Sequence, residues 1–202
     1  MKPFTTHTGT AVAIDRVDID TDQIVPARFL RRIERTGFGQ YLFNNWRFTV
    51  DGTLNPNFIL NKPEYEGSSV LIAGRNFGTG SSREHAAWAL SDYGFRCIIA
   101  PSFADIFQKN CFDNGLVPVH VSESLGKELI TKASTPGYQV TVDLELCQLR
   151  DREGLNVTFS VHKNPKDHEF KRHCLLNGLD DIGLALQHEN KISAFESRRK
   201  MK

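Results

Sequence analysis

The run from Val70 to Trp88, VLIAGRNFGTGSSREHAAW, restricts this chain more than any other stretch. Val70 to Ala73 is a short apolar segment of the kind that reads as a buried strand. Gly74, Gly78 and Gly80 then interrupt it and let the backbone take positive φ or lie close to a ligand. Ser81 with Glu84 three residues on has capping-box spacing, which predicts a helix over 82–93 ended by Gly94. A strand, a glycine loop (Gly78, Thr79, Gly80) and a helix N-terminus together form an anion site, because free N–H groups and the positive end of the helix dipole converge there. Ser81, Ser82 and Arg83 sit where the anion would lie. A cation in a first helical turn costs a few tenths of a kcal/mol up to about one, so Arg83 calls for a compensating partner, which a bound carboxylate supplies.

The common phosphate and nucleophile motifs do not fit this loop. A P-loop requires lysine, and none is present. A dinucleotide fingerprint requires a third glycine where Arg83 stands, and a nucleophile elbow requires Gly-x-Ser-x-Gly. Asp18, Asp20 and Asp22 alternate, but Gln23 and Phe29 occupy the positions where a calcium loop needs Gly and Glu, so this segment reads as a polar turn.

Around this centre the chain predicts alternating strands and helices. Thr8 to Ile14 reads as a first strand, Arg96 to Ala100 and Leu116 to Val121 as further apolar strands, with a helix capped by Ser102 between them. The order β-α-β-α-β with short connections points to parallel pairing. Leu125 to Ala133 reads as a helix, Gln139 to Leu149 with Asn156 to His162 as an antiparallel hairpin, and the remainder as C-terminal helices. Between first and second strands, Arg28, Arg31, Arg32 and Arg35 lie within eight residues, with Phe29, Leu30 and Ile33 as anchors and Gly37 and Gly39 behind them. As a group such arginines can clamp a carboxylate bidentately. Phe43, Trp46 and Phe48 read as core or interface.

A chain of 202 residues is most simply one domain, 1–202, with a helical extension from about 165 to 202. The formal net charge of +1 argues against nucleic acid as a partner. No apolar leader and no run of eighteen apolar residues are present, so a cytoplasmic protein without membrane attachment is expected. Cys97, Cys111, Cys147 and Cys174 share no local loop; they read as reduced thiols, and no metal site is expected on this chain.

The segment from Gly80 to Ala86, GSSREHA, resembles the signature of the aconitase-type swivel domain. With Asp20 to Pro26 (DTDQIVP), Ile99 to Phe107 (IAPSFADIF) and Arg172 to Asp180 (RHCLLNGLD), it is similar to the small subunits of bacterial 3-isopropylmalate dehydratases over essentially the whole chain. Thr79 stands where many relatives carry cysteine. The resemblance implies an α/β fold: a swivel-type β/β/α barrel with a parallel β-α-β-α-β core, an antiparallel hairpin and C-terminal helices. It implies a hydro-lyase of leucine biosynthesis that interconverts 2- and 3-isopropylmalate by loss and re-addition of water, active only with a large subunit. The required Lewis acid would be a 4Fe-4S cluster held by that subunit, with none bound here. Ser81 would be the catalytic base, Ser82 and Arg83 would hold a substrate carboxylate, and Arg31, in the loop that varies with substrate, would help read the substituent. A sibling enzyme acting on methylmalate/citraconate or on homoaconitate is the alternative. Ser81 is thereby asked both to cap a helix and to take a proton. His85, one turn in, reads as a packing residue.

Overall fold

The computed structural model describes residues 1–31 and 34–200; Arg32 and Ile33 of the arginine-rich segment lie outside the described residues, as do the last two. The chain begins with β1 (Thr6–Ile14), which is followed by a long excursion to residue 69. Among its described residues that excursion holds short helices, including α1 (Thr21–Ile24) and α2 (Asn44–Arg47). It is succeeded by β2 (Val70–Ala73), α3 (Glu84–Tyr93), β3 (Cys97–Ala100), α4 (Asp105–Asp113) and β4 (Val117–His120). Next come α5 (Glu123–Ala133), β5 (Gln139–Asp143), β6 (Gln148–Arg150) and β7 (Asn156–Thr158). The chain closes with α6 (Pro165–Asn177), α7 (Asp181–Leu186) and α8 (Glu189–Lys200).

The strands form one sheet in the order β4-β3-β2-β1-β5-β6-β7. β1 to β4 are parallel, and β5, β6 and β7 continue antiparallel from β1. The sheet curls: the amide of His120, at the free edge of β4, donates to Ser160 O (2.8 Å) beyond β7, which joins the two ends. β2 and β3 are buried along their whole length, as expected for parallel strands covered on both faces. Their alternate side chains feed two cores. Leu71, Ala73, Ile98 and Ala100 pack with α3, α4 and the excursion, including Phe38, Leu42 and Phe43. Val70, Ile72, Cys97 and Ile99 pack with Leu129 of α5, Leu149 of β6 and Leu175 of α6.

Several boundaries differ from the sequence expectation, each for a physical reason. Helix α3 begins at Glu84, with Arg83 as its N-cap and no side-chain cap, so Ser81 does not cap it. Ser102 does not cap α4 either; Ala104 is the N-cap, and Ser102 Oγ accepts the Asn76 amide (2.8 Å) across the sheet end. The strand expected over 139–149 is broken after Asp143 by a turn in which Cys147 takes φ +52°, so the hairpin becomes a three-stranded meander with β6 in the middle. Helix α6 starts at Pro165 behind an Asn164 cap and sends Leu175 into the core, so it belongs to the body of the fold.

Candidate functional site

The glycine loop leaves the carboxyl end of β2 and lies between the segments that follow its two neighbours in the sheet. On one side Gly78 N–H donates to Ile19 O (2.7 Å), and Thr21 N–H donates to Thr79 O (2.9 Å). On the other, Phe77 N–H donates to Ser102 O and Ala104 N–H to Phe77 O (3.0 Å each). The loop therefore prolongs the parallel sheet past its hydrogen-bonded strands, at the strand ends where open α/β sheets bind ligands. Gly78 is needed here twice over: its φ is +79°, and a Cβ would fall within 2.6 Å of Phe107 Cβ, on top of that buried ring.

Ser81 and Ser82 are exposed at the rim of this loop. Thr21 Oγ1 donates to Ser81 O (2.9 Å), which holds the main chain from behind and leaves the side chain outward. Among the described residues the backbone N–H groups from Gly80 to His85 have no protein acceptor, so the donors at the start of α3 are available to an anion. Because Ser81 precedes the N-cap by two residues, its hydroxyl is free of the capping duty that its spacing from Glu84 suggested.

Arg83 is not without a counter-charge in the protein. Its Nη1 contacts Oδ1 of Asp22, a residue read in the sequence as part of a polar turn. The hydrogen-bonded Arg83 guanidinium holds the Asp22 carboxyl below the usual carboxylate range. The argument that a bound carboxylate must offset Arg83 is thus corrected: Asp22 meets that need. The contact does not exhaust the side chain. It engages Nη1; among the described residues Nε and Nη2 have no protein acceptor, so the guanidinium keeps donor capacity. Asp22 also accepts the Ala27 amide (3.1 Å), which ties Arg83 to the root of the arginine-rich segment. An acidic residue in the first turn of α1, on the segment that follows the strand beside the loop, was the available signal, and alternation with Asp18 and Asp20 masked it. Those two have other tasks: Asp20 caps α1 through a capping box with Gln23, and Asp18 accepts from Asn76.

The arginine-rich segment resolves into separate roles. Arg28 donates to Asn44 and Asn45 (2.6 and 2.8 Å) and is structural. Arg35 lies over the Trp88 ring (5.4 Å) on α3. Arg31 is exposed in a turn. Both roots of the segment are fastened, by Phe29 stacked on Tyr41 (4.2 Å) and by the Phe38 amide on Asp92 (2.9 Å). His85 packs between Phe38 and Trp88 (5.0 and 4.6 Å), and burial pushes its pKa down, favouring a neutral ring.

The thiols do not assemble. Cys97, Cys111 and Cys174 are buried, and burial pushes Cys97 up to about 12. Among the described residues no group of three or more His, Cys, Asp or Glu side chains is placed to hold a metal ion, and no helix is long and apolar enough to cross a membrane.

Comparison with known proteins places this geometry in a family. The family model of the aconitase C-terminal domain matches residues 1–124, and that of the C-terminal domain of the 3-isopropylmalate dehydratase small subunit matches residues 181–202. The 3-isopropylmalate dehydratase small subunit of Brevibacillus brevis is 58% identical over 200 residues, covering 98% of this chain and 100% of the relative. That of Bacillus subtilis is 50% identical over 199 residues, covering 98% and 97%. A crystal structure of 3-isopropylmalate dehydratase from Methanocaldococcus jannaschii shares the fold, with a TM-score of 0.64 at 24% identity over 96% of this chain and 99% of that one. The glycine loop, the paired serines and Arg83 thus lie on an aconitase-type scaffold, and the chain belongs to the 3-isopropylmalate dehydratase small subunit family.

Proposed function

We propose that this chain supplies one half of a dehydratase active site that interconverts 2- and 3-isopropylmalate through 2-isopropylmaleate, in the leucine pathway, the other half being brought by a large subunit. The reaction removes a proton from a carbon beside a carboxylate and expels hydroxide from the neighbouring carbon; re-addition of water in the opposite sense completes the exchange. The Lewis acid that hydroxide loss requires is expected on the large subunit as a 4Fe-4S cluster, since the thiols of this chain are scattered and mostly buried.

Ser81 is the proposed base. A serine hydroxyl is far too weak an acid to act unaided, so its surroundings must favour the alkoxide. Unfilled N–H groups from Gly80 to His85 and the positive end of α3 provide that environment. Arg83 and Ser82 are proposed to hold a substrate carboxylate, with Asp22 keeping the guanidinium in place from behind. The observation that carries this reading is the row of free amides at the start of α3 beside two exposed serines and a guanidinium that Asp22 engages through Nη1. Arg31, exposed on a segment whose roots are fastened, is proposed to read the substituent that distinguishes the branched malates. In this reading the chain works as one swivel-type domain bearing α7 and α8, in the cytoplasm, where free cysteines stay reduced.

The test is an anaerobic assay of the assembled pair on isopropylmalate, methylmalate/citraconate and homoaconitate. The highest kcat/KM is expected on isopropylmalate. A preference for either of the others would replace the assignment with that sibling activity.

A further inference from the structure

From Ala185 to Arg199 every residue is exposed. This arm, α7 and α8, carries large apolar side chains that its own chain does not cover: Ile182 is 71% exposed, Leu186 58%, Ile192 43% and Phe195 58%. Ile182 and Leu186 lie one turn apart on α7, and Ile192, Phe195 and Arg199 share a face of α8, the guanidinium lying over the Phe195 ring. Helices of about a dozen residues are marginal in water without tertiary packing. Four such side chains together approach roughly the few hundred Å² at which an apolar patch marks a partner site.

The arm leaves the body at a fixed point. Asp180 caps α7 by accepting the Gly183 amide (2.7 Å) and pairs with the Met1 ammonium (3.4 Å). A Cβ on Gly178 would fall 2.6 Å from Met1 O, so the chain turns there under tight constraint. The same surface is continuous with the candidate active site. Helix α4 packs against both α3 and α6. On its outer side Ile106 is 51% exposed, and Lys109, held chiefly by Asp113, is within electrostatic reach of both Asp181 at the root of the arm and Glu84 in the first turn of α3.

We propose that α7 and α8 are a second docking element for the large subunit, gripping it beside the face on which the Ser81 loop meets it. The proposal rests on the functional reading above, because that reading requires the Ser81 loop to face the large subunit. Continuity of the surface across α4 then brings the arm to the same partner. The family matches agree with this division: the aconitase C-terminal domain, by its name part of a longer chain, accounts for residues 1–124, whereas the arm is matched by a model named for the separate small subunit. A domain that is a chain of its own needs surface to hold its partner.

The test uses the full-length small subunit with Ile192→Glu and Phe195→Glu combined. Binding to the large subunit is measured directly by anaerobic sedimentation, and activity is measured as the small subunit is titrated against fixed large subunit. The expected result is a Kd raised at least about tenfold, with kcat at saturation within about twofold of the unaltered protein. The thermal midpoint of the isolated small subunit should be unchanged, because both replaced side chains stand exposed on the arm. An unaltered Kd overturns the proposal. So does loss of small-subunit self-association with an unaltered Kd, which would make a second copy of this chain the occupant. The binding measurement does not depend on which malate is turned over, so failure of the substrate assignment and failure of the docking proposal are read separately.

Discussion

Replacing Gly78 by alanine tests whether the glycine loop is seated as described. The native φ of +79° costs an alanine about 1–2 kcal/mol. The added Cβ would also land on the Phe107 ring, which is 2% exposed and packed edge-on against Phe77 at 5.3 Å, so it has nowhere to retreat. Overpacking of this kind costs about 1–3 kcal/mol more. The total, about 2–5 kcal/mol, is a large share of the ~5–15 kcal/mol that holds an ordinary domain together. For a chain of this size it corresponds to a fall in Tm of about 4–20 °C. Gly52→Ala is the control: its φ is +83°, but nothing lies within 4 Å of the added atom, so it bears the backbone cost alone. Urea denaturation of both variants, at equal m, isolates the steric part. Displacing the loop by about an ångström should also lower kcat/KM of the assembled enzyme by about a hundredfold for Gly78→Ala and leave Gly52→Ala active. Should Gly78→Ala unfold no earlier than Gly52→Ala, the contact between the loop and Phe107 would be refuted.

Asp22→Asn keeps an acceptor for the Ala27 amide but removes the counter-charge of Arg83. Asp22 is half exposed, so stability should fall by no more than about 1 kcal/mol. The kcat/KM of the pair should fall about 10–100-fold as the guanidinium loses its place, and an unchanged value would remove Asp22 from the site. His120, whose Nε2 meets Gln108 Nε2 at 2.6 Å, is pushed down to about 4 by burial and by Lys163 and His162. Its neutral form is the folded one. Its contribution is therefore intact above the unfolded value of about 6.5 and is lost as pH falls from there towards 4, by up to about 3 kcal/mol. Urea midpoints across that range should fall less steeply in His120→Gln, and parallel profiles would contradict the assignment. Arg31→Ala should lower kcat/KM for isopropylmalate while leaving the Tm of the isolated chain within a degree or two; intact kcat/KM would remove Arg31 from recognition.

What could be read from the sequence was the part governed by local pattern. Val70 to Ala73 and Cys97 to Ala100 are apolar throughout, because parallel strands here are covered on both faces, and no other reading suits so short a run. The exit of α3 at Gly94 was equally legible, since φ +118° there suits glycine. The start of α3 was not. Ser81 and Glu84 have capping-box spacing, but bonds from Thr21 to Thr79 O and Ser81 O pull the chain away from helical geometry until Arg83. Those bonds join residues about sixty positions apart, and a local pattern carries no record of them. The Arg83–Asp22 pair was hidden for the same reason, although both residues stood in motifs already singled out. Cys147 broke a strand whose alternation ran on in the sequence, because the Asp143 carboxylate takes the Leu146 amide and closes a turn. The start of α6 carried a local signal that the sequence reading did not use, Asn164 as the cap with Pro165 at the first helical position.

The central claim, that Ser81 on this chain takes the proton while a partner completes the site, is tested most directly by one reconstitution. Unaltered and Ser81→Ala small subunits are each combined anaerobically with the large subunit, and formation of 2-isopropylmaleate from 3-isopropylmalate is followed. The account predicts no turnover by either subunit alone and turnover by the unaltered pair. It predicts a loss of about three orders of magnitude or more in kcat for the Ser81→Ala pair, the scale expected when an essential proton-transfer group is removed, with unchanged affinity between the subunits. Turnover by this chain alone, or a Ser81→Ala pair as active as the unaltered one, would contradict it.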